Sequence, residues 1–386
     1  MNNGAPVRIA AMPGDGIGEE VMAATLQVLE ALAVKSHHDL SWDELPWPST
    51  AWYREHGTMM PDDALSQLRR YDALLLGALG DPGPGADIAR YVLPDAVSLA
   101  PLLEIRKGFD LWACERPGRL LPGARRYLAD PRAADIDMLV IRENSEGEYV
   151  GQGGRLRRGT PYETATQVEV FTRRGAERLI RHGFHRARQR LEQRRRDGTA
   201  AARYLDDRSG GEVEAQLCLI TKRNALQYWG EMYTEVFAEV AEEFPDIGIH
   251  HELIDAACMK FVQAPWRFDV IVASNLQGDI LTDLAAVLSG GMGVAPSCNI
   301  NPDSRELPPL FEPTHGSAPD IAGRGLADPR AMILTAVMML EWIGEARQEY
   351  VEPARRLRAA VEQDLAAQDE RDRNTAEITR SIIDRL

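Results

Sequence analysis

Two rhythms of apolar positions alternate along this chain. Short unbroken apolar runs recur at Val7–Met12, Tyr71–Leu76, Met138–Ile141, Leu217–Ile220 and Phe268–Ala273. Unbroken runs of this length suit strands buried on both faces, as in a parallel sheet. Helical patterns at Glu19–Leu32, Gly175–Arg196 and Tyr228–Phe244 lie between them. Strand and helix in alternation predict the α/β class with a mainly parallel sheet. Two stretches break the rhythm. Gly151–Val170, rich in Gly, Arg and Thr, reads as a small antiparallel arm, and Asp197–Glu214, with three glycines among polar residues, reads as a surface loop or insertion. The basic run Arg186–Arg196 reads first as a solvated helix face.

Composition narrows the partners. A chain of 386 residues has room for two domains, and 44% hydrophobic content supplies a large core. Its 59 acidic residues against 44 basic ones give a net charge of −15, which repels nucleic acid and anionic membranes. No apolar run reaches the roughly 20 residues of a membrane helix. Met1–Pro6 lacks the basic and apolar regions of a signal peptide. Cys114, Cys218, Cys258 and Cys298 form no C-x-x-C pair, so the expectation is a reduced, cytoplasmic chain.

The candidate chemistry gathers at strand ends. Pro13-Gly14-Asp15-Gly16-Ile17-Gly18 follows the first strand, but a dinucleotide fingerprint needs its third glycine where Glu19 stands. The acid expected further on would have to come from near Asp39, on no clear strand. A tight turn serving another site is the better reading. Phe268–Ala273 leads through Ser274–Gly278 to a helix expected to begin near Asp279, and the spacing of Asp279 and Asp283 puts both carboxylates on one face. A hard divalent cation suits them. Asp279 as a helix cap beside an exposed Asp283 is the competing reading. Asp255 offers a third carboxylate, and Lys222 sits at another strand end, where a desolvated lysine can act as a base. Arg106, Arg116 and Arg142 would suit a substrate with two carboxylates if they converge. The glycine- and proline-rich stretch Glu312–Gly323 reads either as an ordinary turn or as a pyrophosphate cradle, with Asp320 facing a ribose.

Taken together these motifs resemble the β-decarboxylating dehydrogenases, the family of isopropylmalate, isocitrate, homoisocitrate, tartrate and D-malate dehydrogenases. The likeness runs from Val7 to about Glu341 and rests on the Pro13–Gly18 turn, Arg142–Tyr149, Asn275–Asp283 and His315–Asp320. It implies two α/β domains sharing a large, mixed, mainly parallel sheet, with the active site in the cleft. Domain one would comprise residues 1–111 and 290–386 and bind the cofactor. Residues 112–289 would bind substrate and form a homodimer, exchanging an arm at about 150–171.

Residue by residue, the resemblance implies Mg2+ or Mn2+ on Asp279 and Asp283, joined by Asp255 of a second subunit. Lys222, also from that subunit, would take the C2 hydroxyl proton, with Asn224 beside it. Arg106, Arg116 and Arg142 would hold the malate carboxylates, and Tyr149 would protonate the enolate carbon after CO2 leaves. His315, Gly316, Ser317, Ala318, Pro319, Asp320, Ile321 and Asp328 would bind NAD, since the Asp320 carboxylate repels the 2′-phosphate of NADP. Two positions depart from the family pattern: Asp328 replaces the usual Asn, and Arg371–Ala376 lacks the usual Asp-Leu-Gly-Gly. Leu99, Leu102 and Leu103 ahead of Arg106 disfavour a third carboxylate and hence isocitrate. Asp95–Leu99 and Pro296–Pro302 are closer to the tartrate and D-malate branch. The expected substrate is therefore a D-malate-type acid: D-malate, tartrate or a 3-substituted malate. A 3-isopropylmalate dehydrogenase of leucine biosynthesis and a non-catalytic regulatory subunit are the alternatives.

Overall fold

The computed structural model describes residues 6–80, 93–368 and 373–386. Arg371 and Asp372 of the divergent tail and the first five residues lie outside them. The strands, in chain order, are β1 (Val7–Gly14), β2 (Leu40–Glu44), β3 (Ala73–Ala78), β4 (Ala113–Arg119), β5 (Asp137–Glu143), β6 (Gly147–Leu156), β7 (Thr164–Val170), β8 (Tyr204–Leu205), β9 (Glu212–Val213), β10 (Gln216–Thr221), β11 (Gly248–Leu253), β12 (Val270–Ala273), β13 (Cys298–Ile300) and β14 (Leu310–Phe311).

Two compact units emerge. The first comprises Met1–Leu111, Leu120–Tyr127 and Ser289–Leu386, the second Trp112–Arg119 and Leu128–Leu288. In the first, sheet order runs β13-β14-β3-β1-β2, parallel except for β13 against β14. In the second it runs β11-β10-β12-β5-β4, parallel except for β4 against β5. The fold is thus α/β with mixed, mainly parallel sheet. Ile9, Leu75, Val140, Leu219 and Ile271 are wholly buried, because helices cover both faces of such strands. The helix Ile17–Ser36 packs on β1 and β3, and Arg173–Arg196 packs on β5, β10 and β12. No helix among the described residues is long and apolar enough to cross a membrane.

The glycine turn is a packing device. A Cβ on Gly14 would lie 1.8 Å from the carbonyl oxygen of Ala78, and one on Gly16 would lie 2.1 Å from that of Ser317. Both glycines also have positive φ, 77° and 61°, which side chains disfavour. Asp15 between them is buried and accepts from the Thr50 amide and hydroxyl, both at 2.7 Å, and from the Gly80 amide at 3.1 Å.

Several expectations need correction. The helix carrying Asp279 begins at Asn275, not near Asp279, so Asp279 lies in its second turn and caps nothing. Gly278 suggested a loop, but it is a helical residue whose Cβ would lie 2.8 Å from that of Arg142. Asp39 directly precedes the parallel strand β2, and its carbonyl accepts from the Val7 amide. The stretch Asp197–Glu214 is more than a loop: β8 and β9 form a short hairpin, and Asp206 and Asp207 accept from the backbone amides of Ile249 and His251 on edge strand β11. The basic run is not simply solvated either. Arg190 and Arg194 both bind the buried Asp269 ahead of β12, at 2.9 and 2.8 Å, since a buried carboxylate there demands paired cations. The antiparallel hairpin β6–β7 occupies the arm position and is exposed along β7.

Candidate active site

Within the second unit, side chains from three strands, Arg116, Arg142 and Tyr149, meet on the carboxylate of Asp279. Asp279 Oδ1 accepts from Arg116 Nη1 of β4 at 3.3 Å and from Arg142 Nη1 of β5, while Oδ2 accepts from the Tyr149 hydroxyl of β6 at 3.0 Å. Arg116 also donates to the Thr282 hydroxyl at 2.7 Å. Arg142, almost fully buried, donates Nε and Nη2 to Asn275 Oδ1 at 2.9 and 2.7 Å, and its guanidinium lies 5.1 Å from the Tyr149 ring centroid. The strand order makes this possible, because β4, β5 and β12 are consecutive and the 275–288 helix leaves the C-terminal end of β12. That is the edge where open α/β sheets place their ligand sites.

The turn between β5 and β6 is tied to the same helix. Glu148 accepts from the Ser274 hydroxyl at 3.0 Å and the Leu276 amide at 3.1 Å, and Asn275 Nδ2 donates to the Glu146 carbonyl. Buried Glu143 accepts from the amides of Ser145 and Glu146. These contacts set Arg142 and Tyr149 against Asp279. Asp283, one turn on, accepts no hydrogen bond from a described residue. Burial and the neighbouring Asp279 raise its pKa, against the pull of Arg116 and Arg142. A carboxylate whose charge is disfavoured in this way suits a hard divalent cation bound through oxygen. Among the described residues no three His, Cys, Asp or Glu side chains form a metal-sized group.

Lys222 and Asp255 pair with each other, Nζ to Oδ1 at 2.7 Å. The bond from Lys222 lowers the Asp255 pKa. Asp255 and Asn224 are exposed, and Lys222 is partly so.

In the first unit, Arg106 is buried and donates Nη2 to Glu312 Oε1 at 2.6 Å, while Glu312 also accepts from Asn299 at 2.8 Å. Of the three leucines ahead of it, Leu102 packs on the core with Ile105 and Phe109, Leu103 is half-buried, and Leu99 is exposed. The stretch His315–Ile321 is a loop closed against the glycine turn: the Ile17 amide donates to the Ser317 carbonyl at 2.9 Å. Ala318 adopts φ 39° and Gly316 faces open space. His315 Nδ1 lies 3.1 Å from the Gly316 carbonyl. A carbonyl only accepts, so Nδ1 carries the proton and Nε2 presents a lone pair. That Nε2 and the Ser317 hydroxyl are buried without partners among the described residues, and burial lowers the His315 pKa, favouring neutral imidazole. Orphaned polar atoms on a glycine loop fit a polar ligand such as a dinucleotide. Pro319 is half-buried and the Asp320 side chain exposed. Asp328 accepts from Arg330 Nη1 at 2.8 Å.

Sequence reasoning passed over Asn275, Glu148, Glu312 and Thr282 as individual actors. All four stand inside stretches named above, and the polarity of Asn275, Glu148 and Glu312 beside strand ends was the available signal.

The model of the isocitrate/isopropylmalate dehydrogenase family matches residues 8–197 and 199–383. The chain is 42% identical to an Escherichia coli protein named D-malate dehydrogenase [decarboxylating], over 93% of this chain and 91% of the relative. It is equally 42% identical to a Thermobifida fusca 3-isopropylmalate dehydrogenase, again over 93% and 91%. Among solved structures, isocitrate dehydrogenase from Methylococcus capsulatus superposes with a TM-score of 0.77 at 32% identity, covering 98% of this chain and 99% of that one. The chain therefore belongs to the isocitrate/isopropylmalate dehydrogenase family and is a decarboxylating dehydrogenase.

Proposed function

We propose that this protein oxidises and decarboxylates a D-malate-type 2-hydroxy acid (D-malate, tartrate or a 3-substituted malate) with NAD and Mg2+ or Mn2+. The observation that carries the reading is the convergence of Arg116, Arg142 and Tyr149 on Asp279, one helical turn from the under-neutralised Asp283. Two guanidiniums held at one strand edge suit a substrate carboxylate. Asp279 and Asp283 would hold the divalent cation. When bound, it supplies Lewis acidity toward the hydroxy acid and NAD supplies the hydride acceptor.

The chain's own groups divide the remaining tasks. Arg116 and Arg142 bind and orient the carboxylates, together with Arg106, which Glu312 positions. Tyr149 holds a phenolic proton on Asp279 Oδ2 and delivers it to the carbon left by CO2. Lys222, aided by Asn224, removes the hydroxyl proton for the partner subunit, and Asp255 completes that subunit's cation site. A homodimer is supported by exposed Leu226, Tyr228, Met259, Val262 and Ile280 around these residues, since unpaired apolar surface of this kind marks association sites. In the first unit, the loop His315–Ile321 would bind NAD: the Ser317 hydroxyl and His315 Nε2 contact its polar groups, and exposed Asp320 accepts from a ribose.

A second reading, 3-isopropylmalate dehydrogenase, is favoured by Leu99 and Leu103, which keep apolar surface that Leu102 has already spent on the core. A non-catalytic regulatory subunit fits poorly, since the whole chemical set stands intact. The deciding experiment measures NADH formation by the purified homo-oligomer from D-malate, both tartrates and 3-isopropylmalate, with Mn2+ present. The largest kcat/KM is expected for D-malate or a tartrate. A preference for 3-isopropylmalate selects the second reading, and no NADH from any of them sinks both.

A further inference from the structure

At the opposite edge of the second unit's sheet lies a cavity of about 360 Å3, within the range of small-molecule sites. Gln216 opens β10 and Phe268 precedes β12, whereas Lys222 and Asn275 follow the other ends of these two strands. The cavity is therefore separate from the Asp279 site. Leu205, from the hairpin β8–β9, is part of its lining.

Its charge is unusual for this molecule. Arg132, His250, Lys260 and Arg267 line it and no carboxylate among the described residues does, in a chain of net charge −15. His250 has one ring nitrogen 2.9 Å from Asp207 and the other 2.6 Å from Glu252. Lys260 pairs with Glu252 and Arg132 with Asp130. Arg267 differs: its ion pair among the described residues is a loose 3.8 Å contact with Glu212. An available guanidinium is a carboxylate's natural partner.

Gln216 supplies a second, independent feature. It lines the cavity and is only 1% exposed. Its Nε2 donates to the Leu205 carbonyl at 2.5 Å, which fixes the amide's orientation, because the flipped form would set two acceptors together. Oε1 is then the other end, and it is buried without a partner among the described residues. An acceptor left in this state costs roughly 1–3 kcal/mol, and a ligand bringing an O–H or N–H recovers it. The rest of the lining includes Trp266, Phe268 and Leu205, which suit a flat apolar body.

We infer that the cavity walled by the 197–214 stretch is a binding site for a small aromatic carboxylate bearing a hydrogen-bond donor. The carboxylate lies on Arg267, the ring lies against Phe268 and Leu205, and the donor faces Gln216 Oε1.

Isothermal titration of the intact protein with 4-hydroxybenzoate tests this, with benzoate as the probe lacking the donor. The expected result is one site per chain, unaffected by saturating D-malate, NAD and Mn2+. Benzoate should bind about tenfold more weakly, and Arg267→Ala should weaken 4-hydroxybenzoate by a similar factor, equivalent to about 1.4 kcal/mol. Arg267 is exposed, so this variant folds independently of the outcome; Leu205→Asp, also exposed, should abolish binding. The inference is overturned by an absence of binding at about 10 mM probe, by displacement with D-malate, or by affinity indifferent to both substitutions. A change in particle mass on substitution, without ligand binding, would instead mark the cavity as a contact between copies of the chain and equally overturn it.

Discussion

Each unit contains an arginine–aspartate cluster, and the two clusters differ in whether they are closed. In the first unit Asp364 is wholly buried. It accepts Nε and Nη2 of Arg330 at 2.8 and 2.7 Å and Nη1 and Nη2 of Arg373 at 2.7 and 3.0 Å. Arg330 reaches on to Asp328, so two carboxylates meet two guanidiniums. In the second unit Asp279 is one-third exposed although Arg116, Arg142 and Tyr149 donate to it, and Asp283 accepts from no described residue. Asp364 in the closed cluster is sealed from solvent between its two arginines and fastens the chain. The open one leaves charge and lone pairs facing solvent, as a ligand site must. The closed cluster also joins both departures from the family pattern: the acid at 328 and the tail residue Arg373 are linked through Arg330 and Asp364. Thr375 adds bonds to the carbonyls of Gly325 and Ala327 at 2.9 and 2.6 Å, pinning the tail to the loop carrying Asp328.

Breaking the open cluster should give the largest effect. Asp279→Asn is expected to lower kcat/KM at least about 10³-fold, while moving the melting temperature less than any change at Asp364. Steady-state kinetics beside calorimetry reads both, and an active Asp279→Asn enzyme would remove Asp279 from the chemistry. Asp364→Asn should do the reverse. It strands the buried Arg330 with one partner, a loss of about 3–5 kcal/mol, with kcat retained below the melting transition. Equal stability of the variant in urea would mean that the cluster is not what fastens the tail.

How much of this contrast is visible in the sequence depends on range. Strands such as β3 and β5 declare themselves because burial on both faces leaves no polar position to confuse the period. Asp279 and Asp283 are legible as a pair because four residues on a helix always share a face. Gly278 misleads, since a glycine before an acid resembles a turn, whereas its cause is the close approach of Arg142 from 136 residues earlier. Glu148 and Glu312 are silent for the same reason: each acts on an element more than 100 residues away. Arg373 looks like tail charge until Asp364 is placed beside it.

A divalent cation sharpens the comparison at intermediate magnitude. Free Mn2+ at about 100 times its dissociation constant should stabilise the protein by about 2.7 kcal/mol, read as a rise in melting temperature over an EDTA control. Asp283→Asn should abolish most of this increment, and Asp364→Asn should leave it intact although its baseline is lower. An increment that survives Asp283→Asn would move the cation elsewhere.

The smallest effect is a matter of pH, and its sign separates the clusters. Burial pushes the Asp364 pKa up, but bonds from Arg373, Ser381 and Arg330 outweigh it and the net direction is down; Asp283 is driven up. A carboxylate depressed in the folded state contributes stability above its unfolded pKa of about 3.9 and loses it as pH falls toward the folded value. A raised one does the opposite, lowering stability as pH rises through it. Arg373→Ala removes the more accessible of the two guanidiniums on Asp364 and should cost about 1 kcal/mol at neutral pH. Urea midpoints of wild type and variant should therefore stay a fixed distance apart from pH 7 to about 5 and converge below about 4, as protonated Asp364 ceases to reward either arginine. A separation that persists unchanged through the acid range would mean that Arg373 acts by packing its stem against the tail rather than by its charge.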